Sequence, residues 1–329
     1  MVKIGVIGVG HMGEYHVNII KQLENVGLVK FIGIYDINPS RMHFISNKYN
    51  VKEYPSAHDL LKDVDCVTCA VNTNQHYLVA KEVLNSKVNL LIEKPFTTKY
   101  SEALELVELA NKYNLKLQVG HVERFNGVVQ ELKNRYLKKT FYIEATRMNL
   151  YGKKERDTGV ILDLMVHDID IILNYFEEEI VDISSYAKRI YTPYDDFAVA
   201  NLLFSSGLIA NFKCSRASYI KNRTLAIAQE SNYLFLNYDT KEIEVYKDTS
   251  TRFEVDQKEL IYYRGGFVER ITVHEENALK DEITHFIRTV EGIEQQEFNN
   301  LNDLLVLKTA LLIIKQASKT CDIPYEGDI

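Results

Sequence analysis

A mostly apolar run, Val2 to Ile7, passes directly into Gly8-Val9-Gly10-His11-Met12-Gly13, and Tyr15, Ile19, Ile20 and Leu23 then follow at helical spacing. Strand, glycine turn and helix in immediate succession is the order that dinucleotide binding needs. Gly8 permits the tight turn, Gly10 removes a side chain that would block a pyrophosphate, and Gly13 lets the helix lie close to the strand. The helix N-terminus is thereby aimed at the phosphates, with His11 and Met12 in the turn itself. A second strand, Val29 to Tyr35, ends in Asp36, at the distance downstream where an acidic side chain meets the adenosine ribose. A carboxylate there accepts from both ribose hydroxyls and repels a 2′-phosphate, so Asp36 favours NAD over NADP, while Arg41 keeps NADP as the alternative. An ordinary β-to-α turn would account for the glycines alone; the matched context on both sides favours the nucleotide.

The chain has 329 residues, 46% of them hydrophobic and 26% charged, which fits two domains with a sizeable core. Its formal charge of −7 argues against a nucleic-acid surface. No apolar run approaches the ~20 residues that cross a bilayer, and the N-terminus reads as a buried strand, not a signal sequence; a cytoplasmic enzyme without membrane partners is expected. Cys66, Cys69, Cys214 and Cys321 are few and scattered. Cys66 and Cys69 fall within one apparent strand, where an offset of three puts them on opposite faces, so they read as packing thiols.

Helices near residues 40–49 and 58–61 alternate with a short strand at 51–54 and a buried strand at 66–71. Such alternation predicts a parallel, doubly wound sheet. Next, residues 72–76 open a helix, which sets Thr73 and His76 at the carboxyl edge where ligands bind in open sheets. The strand 88–92 delivers Glu93-Lys94-Pro95 to the same edge, and Pro95 biases Lys94 toward an extended backbone. A helix over 101–113 and a strand over 116–120 complete a first domain of residues 1–122, leaving 123–329 for a second. His121, Glu123, Arg124 and Asn126 follow the last strand and are expected to border the cleft.

The glycine turn, Asp36, Thr73 with His76, Glu93-Lys94-Pro95, and Asp163 with His167 occur in the order of the glucose-fructose oxidoreductase, inositol dehydrogenase and MocA family, which the chain resembles over essentially its whole length. Residues 120–126 and 159–170 resemble members that oxidise the 3-hydroxyl of UDP-N-acetylglucosamine, although Gly127 stands where those have proline. The resemblance implies a Rossmann domain followed by a mostly antiparallel open-sheet domain, with one sheet face under helices and the other used for oligomer contacts. Segments 141–149, 181–190, 197–204, 208–215, 224–229 and 233–237 independently read as strands. Tyrosine-rich exposed strands would make a ready interface, so a homodimer or homotetramer is expected. Closing helices near 275–290 and 302–319 are expected against this domain and the hinge.

Oxidising a secondary alcohol needs a hydride acceptor, a base at the hydroxyl and a fixed geometry. Asp163 and His167 lie four apart in an apolar helical stretch, hence on one face, with Asp170 continuing the stripe. His167 suits general acid–base work because its ordinary pKa of ~6.5 is near working pH. Lys94 would stabilise the developing oxyanion, Asp163 would bind a neighbouring hydroxyl or share the proton network, and Asp170 would orient the imidazole; spacing alone assigns the proton to neither Lys94 nor His167. A metal held by His167, Asp168 and Asp170 is disfavoured, since consecutive helical residues diverge by ~100°. His121, Arg124 and Arg156 are the further candidate substrate contacts; Arg156 with Lys153 and Lys154 forms a basic cluster suited to a diphosphate. Keeping Lys94, Asp163 and His167 favours an enzyme over a cofactor-sensing regulator, with a free polyol or sugar such as inositol as the alternative substrate.

Overall fold

The computed structural model describes residues 1–135, 137, 139–152, 157–256, 259–273, 277–296, 299–325 and 327–329, with backbone alone for 248–256 and 259–265. Its first part runs β1 (Val2–Ile7), α1 (His11–Asn25), β2 (Val29–Tyr35), α2 (Pro39–Tyr49), α3 (Ala57–Leu61), β3 (Cys66–Cys69), α4 (His76–Asn85), β4 (Asn89–Glu93), α5 (Tyr100–Tyr113) and β5 (Leu117–Gly120). These strands form one parallel sheet in the order β2-β1-β3-β4-β5. It is wound on both faces: Ile4, Val6, Cys66 and Leu91 enter one core cluster, and Ile7, Cys69, Leu90 and Ile92 the other. The two thiols therefore face apart, and burial pushes both up, Cys69 to about 12. Strand order reverses between β1 and β3, which opens a crevice at their carboxyl ends. The strand expected at 51–54 is only a bridge from Glu53 to Ile34 beside β2. Pro55 follows at once, and without an amide hydrogen it cannot extend the ladder.

The second part contains α6 (Gly127–Leu132), β6 (Thr140–Leu150), α7 (Val166–Tyr175), β7 (Ile180–Lys188), β8 (Phe197–Phe204), β9 (Ile209–Ser218), β10 (Asn222–Gln229), β11 (Asn232–Asn237), β12 (Glu242–Asp256), β13 (Glu259–Thr272), α8 (Ala278–Val290) and α9 (Asn300–Ser318). Its sheet, ordered β13-β12-β11-β10-β6-β9-β8-β7, is antiparallel except for β6 beside β9. Neither β12 nor β13 is legible in the sequence, because Gln257-Lys258 between them is no turn signal and the flanking charges lower strand propensity. The inner face, with Ile143, Phe212, Ile227 and Leu236 buried, packs on helices; α9 touches α7 and β7 on one side and α5 and β5 on the other. On the outer face one pairing row joins Val268, Tyr246, Tyr233, Ala228, Tyr142, Ile209 and Leu203. Five of these, all but Ala228 and Tyr142, are large exposed side chains.

Helix α8 packs on the hinge as expected, at Val122–Phe125, but its other contacts are with α1 and β4 of the first sheet, because Ile283, Phe286 and Ile287, spaced i, i+3, i+4, enter the cluster of Ile19, Ile20 and Leu23. Burial of each such side chain stabilises by about 1.5–3 kcal/mol. The same face carries Glu282, fully buried, with neither carboxyl oxygen hydrogen-bonded among the described residues. Burial, then the nearby Glu93 charge, pushes its pKa well above the usual 4.5. The sign follows from linkage: below the unfolded pKa both states are protonated, and above it only the unfolded chain ionises, so stability falls by ~1.4 kcal/mol per pH unit until the folded pKa is reached. Glu282→Gln removes that slope. Thermal melting from about pH 5 to about pH 8 should show the variant gaining on the native protein as pH rises; parallel curves would contradict a neutral Glu282.

Candidate active site

The glycine turn at the crevice has the shape a dinucleotide requires. Gly8 has φ +84, and a Cβ there would lie 2.7 Å from the Ala70 carbonyl oxygen. A Cβ on Gly13 would meet the Gly8 oxygen at 1.9 Å, whereas Gly10 faces open space. His11 is exposed and Met12 partly so at the start of α1. Asp36 accepts from the Val9 amide at 2.6 Å and the Asn38 amide at 2.8 Å, which fixes its carboxylate in the wall of a hollow of about 580 Å³ shared with Gly8, Gly10, Arg41, Val71 and Gln75. Arg41 donates to the Val9 and Gly10 carbonyls and pairs with Glu14. Lys48 first, then Arg41, holds the Glu14 carboxyl down at about 2. The open space at Gly10 and the carboxylate in the wall fit NAD; with Arg41 already engaged, a 2′-phosphate has less to bind.

Across the crevice, β4 delivers Lys94 to the segment ahead of α7. Its ammonium donates to the Asp163 carbonyl at 2.6 Å and carboxylate at 2.8 Å, joining the edge of one sheet to a helix that packs on the other. Asp163 lies in a π-helical turn, Ile161–Met165, that widens the start of α7, a distortion frequent at functional sites. His167 follows, 8% exposed, its Nδ1 without a hydrogen-bond partner among the described residues. Burial first, then the Lys94 and Arg147 charges, pushes its pKa well below 6.5, so the ring is neutral at neutral pH. Lys94 and Asp163 are thus in direct contact, and His167 lies near enough to feel the Lys94 charge.

Other residues take different places. His76 is buried, one ring nitrogen 2.7 Å from the Pro95 carbonyl and the other 3.2 Å from that of Val71; burial lowers its pKa, so a neutral ring has one N–H to donate to one of these carbonyls and braces the Lys94 turn. Glu93, likewise expected at the cofactor, points to buried His16 at 2.9 Å. Arg124 does not border a cleft: it is 4% exposed and donates to Asp170 and Asp303. His121 is buried beside the same carboxylates, near enough to His167 to act on it through charge. Asp170 therefore serves Arg124 and not the His167 imidazole. Asp168 pairs with Arg147, which also binds Glu123. His121, Asp170 and Asp303 have metal-like spacing, but the guanidinium already bridges the two carboxylates. Arg156, with Lys153 and Lys154, lies outside the described residues. Two further residues hold the site without a sequence signal: Asp157, whose carboxylate accepts from the Thr73 amide at 2.7 Å, and Asp195, whose carboxylate accepts from the Ile161 amide at 2.9 Å. Both partners are far off in sequence and carry no local motif.

Residues 2–121 match the family model described as oxidoreductase family, NAD-binding Rossmann fold, and residues 125–234 match the GFO/IDH/MocA C-terminal domain. The UDP-N-acetylglucosamine 3-dehydrogenase of Acidithiobacillus ferrooxidans is 30% identical over 244 residues, 74% of this chain and 76% of its own. A solved structure of that enzyme superposes with a TM-score of 0.87 at 27% identity, covering 97% of this chain and 98% of the other. The myo-inositol 2-dehydrogenase of Thermotoga maritima is 24% identical over 246 residues, 68% of this chain and 69% of its own. Among the described residues no helix is long and apolar enough to cross a membrane.

Proposed function

Because this chain belongs to the GFO/IDH/MocA family of NAD-binding oxidoreductases, we propose that it oxidises the 3-hydroxyl of UDP-N-acetylglucosamine to a ketone. The observation that carries a dehydrogenase reading is the Lys94–Asp163 bridge beside a neutral, buried His167, at the sheet edge that also holds the glycine turn. NAD bound there supplies the hydride acceptor. His167 takes the hydroxyl proton, Lys94 donates a hydrogen bond to the same oxygen as negative charge develops, and Asp163 holds the ammonium. Gly8, Gly10, His11, Met12, Gly13, Asp36, Arg41 and Thr73 line the cofactor's path. The choice of a nucleotide-linked sugar is supported by the Acidithiobacillus relative, which matches nearly the full chain in structure. Incubation with NAD or NADP and a panel of UDP-N-acetylglucosamine, inositol and glucose, read by the absorbance of reduced nicotinamide, tests it. Turnover is expected with NAD and the UDP-sugar; turnover with inositol alone would transfer the assignment to a polyol, and tight NAD binding without turnover would indicate a regulator.

The reading includes a homo-oligomer formed through the outer face of the larger sheet, where the row of Tyr233, Tyr246 and Val268 would otherwise face water. Light scattering should give a dimer or tetramer, and Tyr246→Glu should lower the mass. A native mass of one chain would contradict it.

A further inference from the structure

We propose that Arg216 is the positioning residue for Asp163 and, through it, for Lys94; this rests on the dehydrogenase reading. Arg216 lies near the end of β9, 4% exposed. Its Nη2 donates to the Thr158 carbonyl at 2.7 Å and lies 3.9 Å from the Asp163 carboxylate. Nε lies 3.9 Å from Asp196, whose carboxylate gathers the amides of Ile190, Tyr191 and Thr192. One guanidinium therefore faces the segment bearing Asp163 at two points, while Asp195 holds the same segment at Ile161. Gly159 makes that second contact possible, since a Cβ there would lie 1.6 Å from the Asp195 carboxylate.

Arg216 has Nε and Nη1 buried without hydrogen-bond partners among the described residues. Unsatisfied buried donors are costly and demand an explanation. A guanidinium that only filled space would be better replaced by an apolar side chain. One that sets a carboxylate by charge, at a distance just beyond direct hydrogen bonding, keeps Asp163 oriented with one oxygen on Lys94. Arg216 touches no reacting atom in this assignment; it acts by fixing the carboxylate that fixes the ammonium.

The test is a double-mutant cycle on the full-length enzyme with NAD and the substrate that the panel identifies. Arg216→Met should lower kcat by about 10–100-fold, the scale of a small misplacement at the reacting centre, with the affinity for NAD unchanged. In an Asp163→Ala background the same substitution should have almost no further effect, and Arg216→Lys, which keeps the charge, should recover part of kcat in the otherwise native enzyme. Equal losses in both backgrounds, or no recovery with lysine in a variant that melts like the native protein, would overturn the assignment. A native enzyme without turnover on any sugar would instead overturn the dehydrogenase reading on which it rests.

Discussion

Lys94→Met and His167→Ala should each lower kcat about 10²–10⁴-fold, the range for losing a positioned acid–base or oxyanion-stabilising group, while NAD still binds. The two variants should differ in pH dependence. His167 accepts a proton only when neutral, and its burial and the Lys94 charge push its pKa below the ordinary histidine range. The acid limb of the native profile therefore lies below ~6.5. Lys94→Met removes one of the charges that depress His167, so its residual activity should show that limb displaced to higher pH. His167→Ala should lose the limb. An unchanged acid limb in Lys94→Met would mean that the two groups do not share one pocket in solution, and near-native kcat in either variant would remove that residue from the chemistry.

Arg124→Met should destabilise the fold by about 3–5 kcal/mol, the cost of breaking a buried ion pair and leaving its partner charged. Arg124 follows β5, Asp170 lies on α7 and Asp303 on α9, and all three are buried. Burial works against the charge on Arg124, but Asp170 and then Asp303 more than offset it and raise its pKa above the usual value. Removing the cation strands two carboxylates beside His121 with no countercharge. Urea unfolding measures the loss, and a change below about 1 kcal/mol would show that the carboxylates are solvated or protonated in the folded protein. Replacing all three members by apolar residues, as Arg124→Met with Asp170→Leu and Asp303→Leu, should restore most of the stability, because the desolvation of every charge is then avoided.

The two effects separate what Lys94 and Arg124 do, although both read on sequence as cations at strand exits. Lys94 lies beside Pro95 at the edge of a parallel strand, in a motif whose position in the crevice follows from the strand order. Arg124 has no such motif. Its two partners lie 46 and 179 residues away, and spacing cannot say whether an arginine turns to the cleft or into the protein. The same holds for His76, which has the right position along the chain but turns inward between the Pro95 and Val71 carbonyls.

The glycine turn, the alternation of the first sheet, Asp36 at the end of β2 and the spacing of Asp163 and His167 were all present in local order, because turn sterics, helical period and strand period act over a few residues. Only the folded chain decided that α8 returns to the first sheet, that Glu93 binds His16 and not the cofactor, that Asp157 reaches Thr73 and that Arg216 faces Asp163. Each of those depends on apolar faces and charges brought together from distant segments, where burial changes what a side chain can do and adjacency along the chain carries no information.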